Sequence, residues 1–112
     1  MPRASSSADI LPGTLEMLIL QTLTIQPMHG YAVAKQIADR SGDVLRVEQG
    51  SLYPALERLL SKGFVTSKWG DSPTGRKARY YTITAAGRRR LGQEISEFDN
   101  VLAAIARVLQ RA

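Results

Sequence analysis

Near the carboxyl end of the chain, apolar side chains recur at alternating intervals of 4 and 3 residues. These residues are Leu91, Ile95, Phe98, Leu102, Ile105 and Leu109. Such spacing is typical of a helix that packs along its length against another helix. A helix over residues 85–112 would be about 40 Å long, and one small domain cannot cover its whole apolar stripe. The sequence therefore predicts a homodimer, joined through these six side chains about a two-fold axis.

The rest of the chain predicts one compact domain. The chain has 112 residues, and 44% of them are hydrophobic, which argues against an intrinsically disordered protein. It contains no cysteine, which excludes disulfide scaffolds, thiolate metal sites and cysteine nucleophiles. Neither a signal peptide nor a membrane-spanning apolar run is visible. We expect a cytoplasmic protein without membrane contact, with a disordered tail at residues 1–9.

Three helices are predicted between that tail and residue 63. Apolar residues recur at helical spacing over residues 14–25, 31–40 and 49–62. Thr14 is the expected cap of the first helix, and Gly63 is expected to close the third. On the second helix, Tyr31 is expected to point inward. The third helix is expected to begin at Gln49 or Ser51, because Pro54 tolerates only a nearby helix start.

A β-hairpin is predicted after the third helix. Residues 64–69 and 76–83 are rich in β-branched and aromatic side chains, and the turn-forming segment 70–75 separates them as a long, flexible tip. Thr84 is the expected cap of the last helix. The predicted fold class is mainly α with a small β-hairpin: a winged helix-turn-helix domain over residues 10–84, followed by a dimerisation helix over residues 85–112.

Positive charge is concentrated in the second half of the chain. The formal net charge is +5, and residues 62–90 alone carry eight lysines and arginines against one aspartate. A cluster of this kind attracts polyanions. In a winged helix-turn-helix, the third helix enters the major groove of DNA and the hairpin, or wing, lies along the backbone. The charge distribution and the order of elements together predict double-stranded DNA as the partner.

Candidate DNA contacts lie on the third helix and on the wing. Ser51, Ala55, Arg58 and Lys62 are predicted to share one face of the helix, and Arg76, Lys77 and Arg79 follow Gly75 in the wing. The helix face could instead be an ordinary solvated surface, and charged hairpin residues also prevent association between sheet edges.

The aromatic residues leave two interpretations open. Tyr53, Tyr80 and Tyr81 either contact nucleic acid or fill the seam between the third helix and the wing. Alternation along the strand predicts that one of the two adjacent tyrosines faces inward. His29 is expected at a turn or helix start, and Trp69 is expected to pack the wing against the domain. No nucleophile–base pair or paired-carboxylate motif occurs, so we expect neither an enzyme nor a cofactor or metal site.

Several segments together resemble the PadR family of bacterial transcriptional regulators. They are Leu11-Pro12-Gly13-Thr14-Leu15, His29-Gly30-Tyr31, the segment from Gly50 to Leu59, the segment from Gly75 to Thr84, and Ala86-Gly87. The resemblance implies a winged helix domain, a dimer through the last helix and, usually, repression. It also implies DNA contacts at the matching positions, which are Ser51, Tyr53, Pro54, Gly75, Arg76, Lys77 and Tyr81. Some small relatives place a tryptophan on the last helix to hold flat aromatic effectors. None stands there in this chain, so the resemblance does not support a small-molecule effector.

Two functions follow from these observations. The first is a dimeric DNA-binding regulator, a repressor in the sense that the resemblance implies, which binds a near-palindromic operator. The alternative is a winged-helix module for protein–protein interaction, whose last helix docks a different protein. The mass in solution separates the two, because the first predicts twice the mass of one chain.

Overall fold

The computed structural model describes residues 13–111, so the predicted disordered tail at residues 1–9 lies outside the described residues. Within them, four helices accompany one antiparallel sheet of three strands. The elements are α1 (Thr14–Leu23), β1 (Met28–His29), α2 (Gly30–Arg40), α3 (Gln49–Ser61), β2 (Val65–Asp71), β3 (Lys77–Ile83) and α4 (Ala85–Val108). This architecture confirms the predicted fold class, with β1 as an additional strand.

The three strands are ordered β1-β3-β2, so β3 is central. Strands β2 and β3 pair from Val65↔Ile83 to Asp71↔Lys77. The short strand β1 pairs with β3 on its other side, through Met28↔Tyr81 and His29↔Tyr80. Two residues are too few to show a period of two, which explains why the sequence pattern did not predict β1. This strand places the start of α2 beside the wing.

The wing tip is shorter than the predicted segment 70–75. Strand β2 continues to Asp71, and the turn is closed by hydrogen bonds from the Ser72 amide to the Arg76 carbonyl (2.8 Å) and from the Gly75 amide to the Ser72 carbonyl (2.9 Å). Gly75 has a φ of 87°, a left-handed conformation that favours glycine. The tip thus spans residues 72–76, and its turn places Arg76 and Lys77 at the start of β3.

The core lies between α1, α2, α3 and the inner face of the sheet. Its most deeply buried side chains come from three helices and one strand: Ile19, Leu20, Leu23, Val33, Leu52, Leu56, Leu59 and Val65. The prediction that Tyr31 points inward is wrong, because its side chain is 68% exposed and Val33 takes the inward position. Leu91 of α4 completes the core, with 6% of its surface exposed.

The predicted helix boundaries at Thr84 and Gly63 are confirmed, and α3 begins at Gln49 as predicted. The Thr84 hydroxyl accepts a hydrogen bond from the Gly87 amide (3.0 Å) and donates one to the Gly63 carbonyl (2.8 Å). Gly63 has a φ of 78°, and the amide after it returns to the Leu59 carbonyl, which is a helix-ending motif. Thr14 does not cap α1: it is the first helical residue, and Gly13 occupies the cap position without a side-chain bond.

The last helix is 24 residues long, which corresponds to about 36 Å. It ends before the carboxyl terminus, because Gln110 has a φ of 60°. Its apolar stripe divides in two. Leu91 and Phe98 pack against the core of the same chain, whereas the other members and their neighbours are exposed. The exposed residues are Ile95, Val101, Leu102, Ile105, Val108 and Leu109. The placement of Leu91 in a dimer interface is therefore wrong.

Within residues 13–111, no helix combines the length and apolar character that crossing a bilayer requires.

The close approach of α4 to the end of α3 yields a stability prediction. A Cβ atom on Gly87 would lie 2.1 Å from the Phe64 carbonyl oxygen and 2.9 Å from Cγ1 of Ile83. We expect Gly87→Ala to lower the free energy of unfolding by about 1–3 kcal/mol, as measured by urea titration at fixed protein concentration. Gly92→Ala is the control, because a Cβ there meets no described atom within 4 Å. This substitution should raise the free energy of unfolding by about 0.5–1 kcal/mol, since alanine favours a helix over glycine. Equal stability of the two variants would contradict this packing.

Candidate nucleic-acid interface

Helix α3 presents one side to solvent. Gln49, Gly50, Tyr53, Pro54 and Glu57 are exposed on it. Ala55, which the sequence placed on this surface, is instead completely buried with Leu52 and Leu59. The centre of the exposed surface is therefore near Pro54, and this surface is rotated about the helix axis from the face that the sequence predicted. Its small first-turn residues allow close approach of another molecule.

Arg58 and Lys62 stand at one edge of this exposed surface and contact Glu16 of α1. The Arg58 Nε donates to Glu16 Oε2 at 2.7 Å, and the Lys62 Nζ lies 3.4 Å from Glu16 Oε1. Glu16 is only 8% exposed, and a carboxylate so buried requires charged partners. The sequence assigned both cations to DNA, but within the domain they neutralise Glu16. The sequence feature that could have indicated this contact is Glu16 itself, an acidic residue within the apolar run of α1.

Arg79 joins the wing to the opposite edge of α3. Its Nη1 lies 3.1 Å from Glu57 Oε2, its Nε donates to the Ser67 Oγ at 3.2 Å, and its guanidinium carbon lies 5.8 Å from the centre of the Tyr81 ring. These contacts bridge α3, β2 and β3. Arg79 thus directs two of its five N–H donors to groups within the protein, and it bridges the wing and α3.

The two adjacent tyrosines of β3 point to opposite faces of the sheet. Tyr81 is 2% exposed. Burial raises the pKa of its hydroxyl, although the nearby Arg79 opposes this effect, so the phenol is neutral at physiological pH. The prediction that Tyr81 contacts DNA is wrong, because its ring is part of the core. Tyr80 lies on the outer face, where its hydroxyl donates to the Asp71 carbonyl at 3.0 Å.

Tyr53 packs within the domain and is also partly exposed, so both interpretations of this residue stay predictions. Its ring lies against the start of α2, where a Cβ on Gly30 would be 2.8 Å from the tyrosine hydroxyl. The side chain is nevertheless 41% exposed. His29 begins α2 as predicted: its Nδ1 accepts a hydrogen bond from the Ala32 amide at 3.2 Å.

The wing tip exposes two cations. Arg76 extends into solvent beyond the turn. Lys77 pairs with Asp71 at 3.1 Å, and both side chains are 73% exposed. Such a surface pair contributes little energy, so Lys77 can exchange its carboxylate partner for a phosphate at small cost. The tip therefore offers two cations that are available to an anionic partner.

An open groove of about 910 Å³ separates the start of α2 and the exposed side of α3 from the wing. Its lining includes Tyr31, Tyr53, Trp69, Arg76, Lys77 and Arg79. The prediction that Trp69 packs the wing against the domain is wrong, because its side chain is 65% exposed. The groove, the α3 surface and the wing tip adjoin one another and combine aromatic rings with cations. This is the composition of surfaces that bind nucleic acid.

Comparison with known proteins finds a family whose model matches most of this chain. The family model for the transcriptional regulator PadR-like family matches residues 19–93. The solved structure of a transcriptional regulator from Clostridium thermocellum superposes with a TM-score of 0.81 at 25% identity, covering 88% of this chain and 96% of that one. A PadR family transcriptional regulator from Eggerthella lenta gives a TM-score of 0.76 at 31% identity, over 89% of this chain and 85% of that one.

A curated relative comes from Bacillus subtilis. The negative transcriptional regulator PadR of that organism is 26% identical to this chain over 77 residues. The match covers 69% of this chain but 42% of the relative, so the relative has a large part without a counterpart in the aligned region.

The contacts of Glu16 yield a prediction for the edge of α3. We expect Glu16→Gln to lower the free energy of unfolding by about 1–2 kcal/mol, because it weakens two charge-assisted contacts of a buried group. The partners are about half exposed, which keeps the loss below that of a fully buried pair. Glu97→Gln, on the exposed surface of α4, is the matched control and should leave stability unchanged. Indistinguishable urea midpoints for the two variants would refute a stabilising role for Glu16.

Proposed function

The chain belongs to the PadR-like family of transcriptional regulators, and from this premise we propose that it represses transcription by binding a near-palindromic operator as a homodimer. Regulators of this family bind DNA and are not enzymes. The observation that carries the proposal is the adjacency of the exposed α3 surface and the cationic wing tip. A recognition helix and a wing placed side by side can engage the major groove and the neighbouring backbone together.

Within this proposal, α3 and the wing tip have different tasks. Ser51, Tyr53 and Pro54 approach base edges from the first turns of α3. Arg76 and Lys77 bind phosphates or enter the minor groove, and Gly75 supplies the turn that presents them. Arg58, Lys62 and Arg79 already hold ion pairs within the domain. We therefore assign these three residues to maintaining the shape of the interface, with no direct DNA contact required of them.

The exposed part of the α4 stripe supports the homodimer. Leu102, Ile105 and Leu109 are each between 47% and 59% exposed, although side chains of this kind gain roughly 1.5–3 kcal/mol from full burial. A second copy of α4 offers a matching apolar surface about a two-fold axis. Two recognition helices related by that axis would lie about one DNA turn apart, roughly 34–36 Å, which is the reason for proposing a near-palindromic operator.

Repression is proposed from the Bacillus subtilis relative, which is named a negative transcriptional regulator. Roles for residues 10–84 in DNA binding and for residues 85–112 in dimerisation remain part of the same proposal. A small-molecule effector is not included, because α4 carries no tryptophan of the kind that small relatives use. The two exposed cations on the turn beside α3 favour DNA over the alternative, a protein–protein interaction module.

DNA recognition is tested by selecting binding sequences from a pool of random duplexes with the purified protein. We expect enrichment of a motif with two inverted half-sites about 10 base pairs apart. In fluorescence anisotropy with that duplex, Arg76→Ala/Lys77→Ala should weaken binding at least tenfold. It should also reduce the salt slope by about 0.9 for each phosphate that the variant no longer neutralises.

The control is Arg107→Ala/Arg111→Ala, which removes the same charge from the last turn of α4 and the residues just after it, and it should retain most of the affinity. If both double variants lost affinity equally, only net charge would matter and the wing would have no special role. A pool without any enriched motif would contradict sequence-specific recognition.

The dimer is tested by light scattering. We expect a mass of twice 12.3 kDa for the unchanged chain and a monomer for Leu102→Glu/Ile105→Glu, because two carboxylates would be buried in an apolar seam. Ser96→Glu/Asn100→Glu adds the same charge to the opposite, exposed side of α4 and should remain dimeric. A monomeric mass for the unchanged chain would favour the alternative function.

A further inference from the structure

The first turn of α3 contains a glycine that packing within the domain does not require. Gly50 lies inside the helix and does not have the left-handed backbone conformation that favours glycine. A Cβ atom on Gly50 would meet no described atom within 4 Å. Glycine is a poorer helix former than alanine, so the domain is less stable than it could be at this position. The absence of a side chain here points to a molecule that comes close to this turn.

The residue before this glycine has a long polar side chain that is free to contact such a molecule. Gln49 is exposed, and its side-chain amide has no hydrogen-bond partner among the described residues. The other long polar side chains within residues 49–61 already hold ion pairs within the domain, and these are Glu57 and Arg58. Glu48, just before α3, is exposed too, but its carboxylate is repelled by phosphates.

The side-chain amide of glutamine is complementary to one base edge in the major groove of DNA. Its NH₂ group donates a hydrogen bond to N7 of adenine, and its carbonyl oxygen accepts one from the N6 amino group. Guanine presents two acceptors at the corresponding positions, so it cannot form the same pair of hydrogen bonds. The first residues of a recognition helix are the ones that reach base edges. Gln49 is the first residue of α3.

We propose that Gln49 recognises an adenine in each half-site of the operator, and that Gly50 allows the first turn of α3 to come close enough for this contact. The inference rests on the proposed DNA-binding function and adds a base preference to it. Gln49 is then the residue that sets specificity at one position of each half-site, whereas the cations of the wing tip bind phosphates irrespective of sequence.

The base preference is tested by selecting duplexes from a random pool with the unchanged chain and with Gln49→Ala. We expect the unchanged chain to enrich an adenine at one position of each half-site. The variant should lose the preference at that position and keep the others. Gln93→Ala is the matched control, because it removes an exposed glutamine from α4. It should select the same motif as the unchanged chain.

The hydrogen bond to N7 is tested on the DNA itself. The base 7-deazaadenine pairs with thymine as adenine does, but it lacks the N7 acceptor. In fluorescence anisotropy, this base at the proposed position of both half-sites should weaken binding of the unchanged chain about tenfold. Gln49→Ala should bind the two duplexes equally. The four affinities form a double-mutant cycle, which separates this contact from a general loss of binding.

The role of Gly50 is tested by comparing stability with affinity. Gly50→Ala should raise the urea midpoint, because alanine favours a helix over glycine. It should nevertheless weaken binding of the selected duplex about fivefold, since the added methyl group occupies space that the base pairs need. Gly92→Ala, the matched control on α4, should raise the midpoint without any change in affinity. A variant that gains stability and loses affinity cannot owe the loss to unfolding.

The outcomes distinguish this inference from the proposed function. If Gln49→Ala selects the same motif as the unchanged chain, or if the lost preference is for a base other than adenine, the inference is wrong while DNA binding stands. Normal binding by Gly50→Ala would remove the role assigned to that glycine. If the unchanged chain enriches no motif at all, the proposed sequence-specific function fails, and the inference that rests on it fails too.

Discussion

The way in which the wing is held against α3 decides the shape of the candidate nucleic-acid interface, and Arg79 is a side chain that bridges the two. At its base the wing is held by β1 and by the buried side chains of Val65, Tyr81 and Ile83. Beyond that base only two strands continue, and a two-stranded ribbon has little stability of its own. Arg79 connects Glu57 of α3 to Ser67 of β2 above the buried Tyr81 ring. The wing tip, the groove and the exposed side of α3 consequently form one surface of defined shape.

A second ion pair, on the other side of α3, has a similar effect. Glu16 holds Arg58 and Lys62 against α1, so each of the two edges of α3 carries an ion pair to a neighbouring element. The exposed strip between these edges carries small or uncharged groups near its start, such as Gly50 and Pro54. The cations at the edges of α3 are therefore held in ion pairs within the domain. Those of the wing tip, Arg76 and Lys77, are exposed and available to an anionic partner.

Local patterns were sufficient to predict the helices and the two long strands, because the helices have apolar residues at helical spacing and the strands are rich in β-branched and aromatic residues. The same patterns could not predict contacts between distant segments. Glu57 and Arg79 are 22 residues apart, and Glu16 and Arg58 are 42 apart, so sequence alone showed cations but not their partners. Alternation predicted that one of Tyr80 and Tyr81 is buried. Which of the two is buried depends on the face of the sheet that packs on the helices, and in the structure it is Tyr81. Likewise, the heptad spacing could not show that Leu91 belongs to the domain core.

The central claim is that two chains, joined through α4, present two recognition surfaces to one operator. The most direct measurement is sedimentation equilibrium of the complex with a duplex that contains a single selected motif. The account predicts two chains per duplex, together with one chain or fewer on a duplex in which one half-site is scrambled at the same concentrations. A complex that holds one chain on the intact motif, or identical binding to the intact and scrambled duplexes, would contradict it.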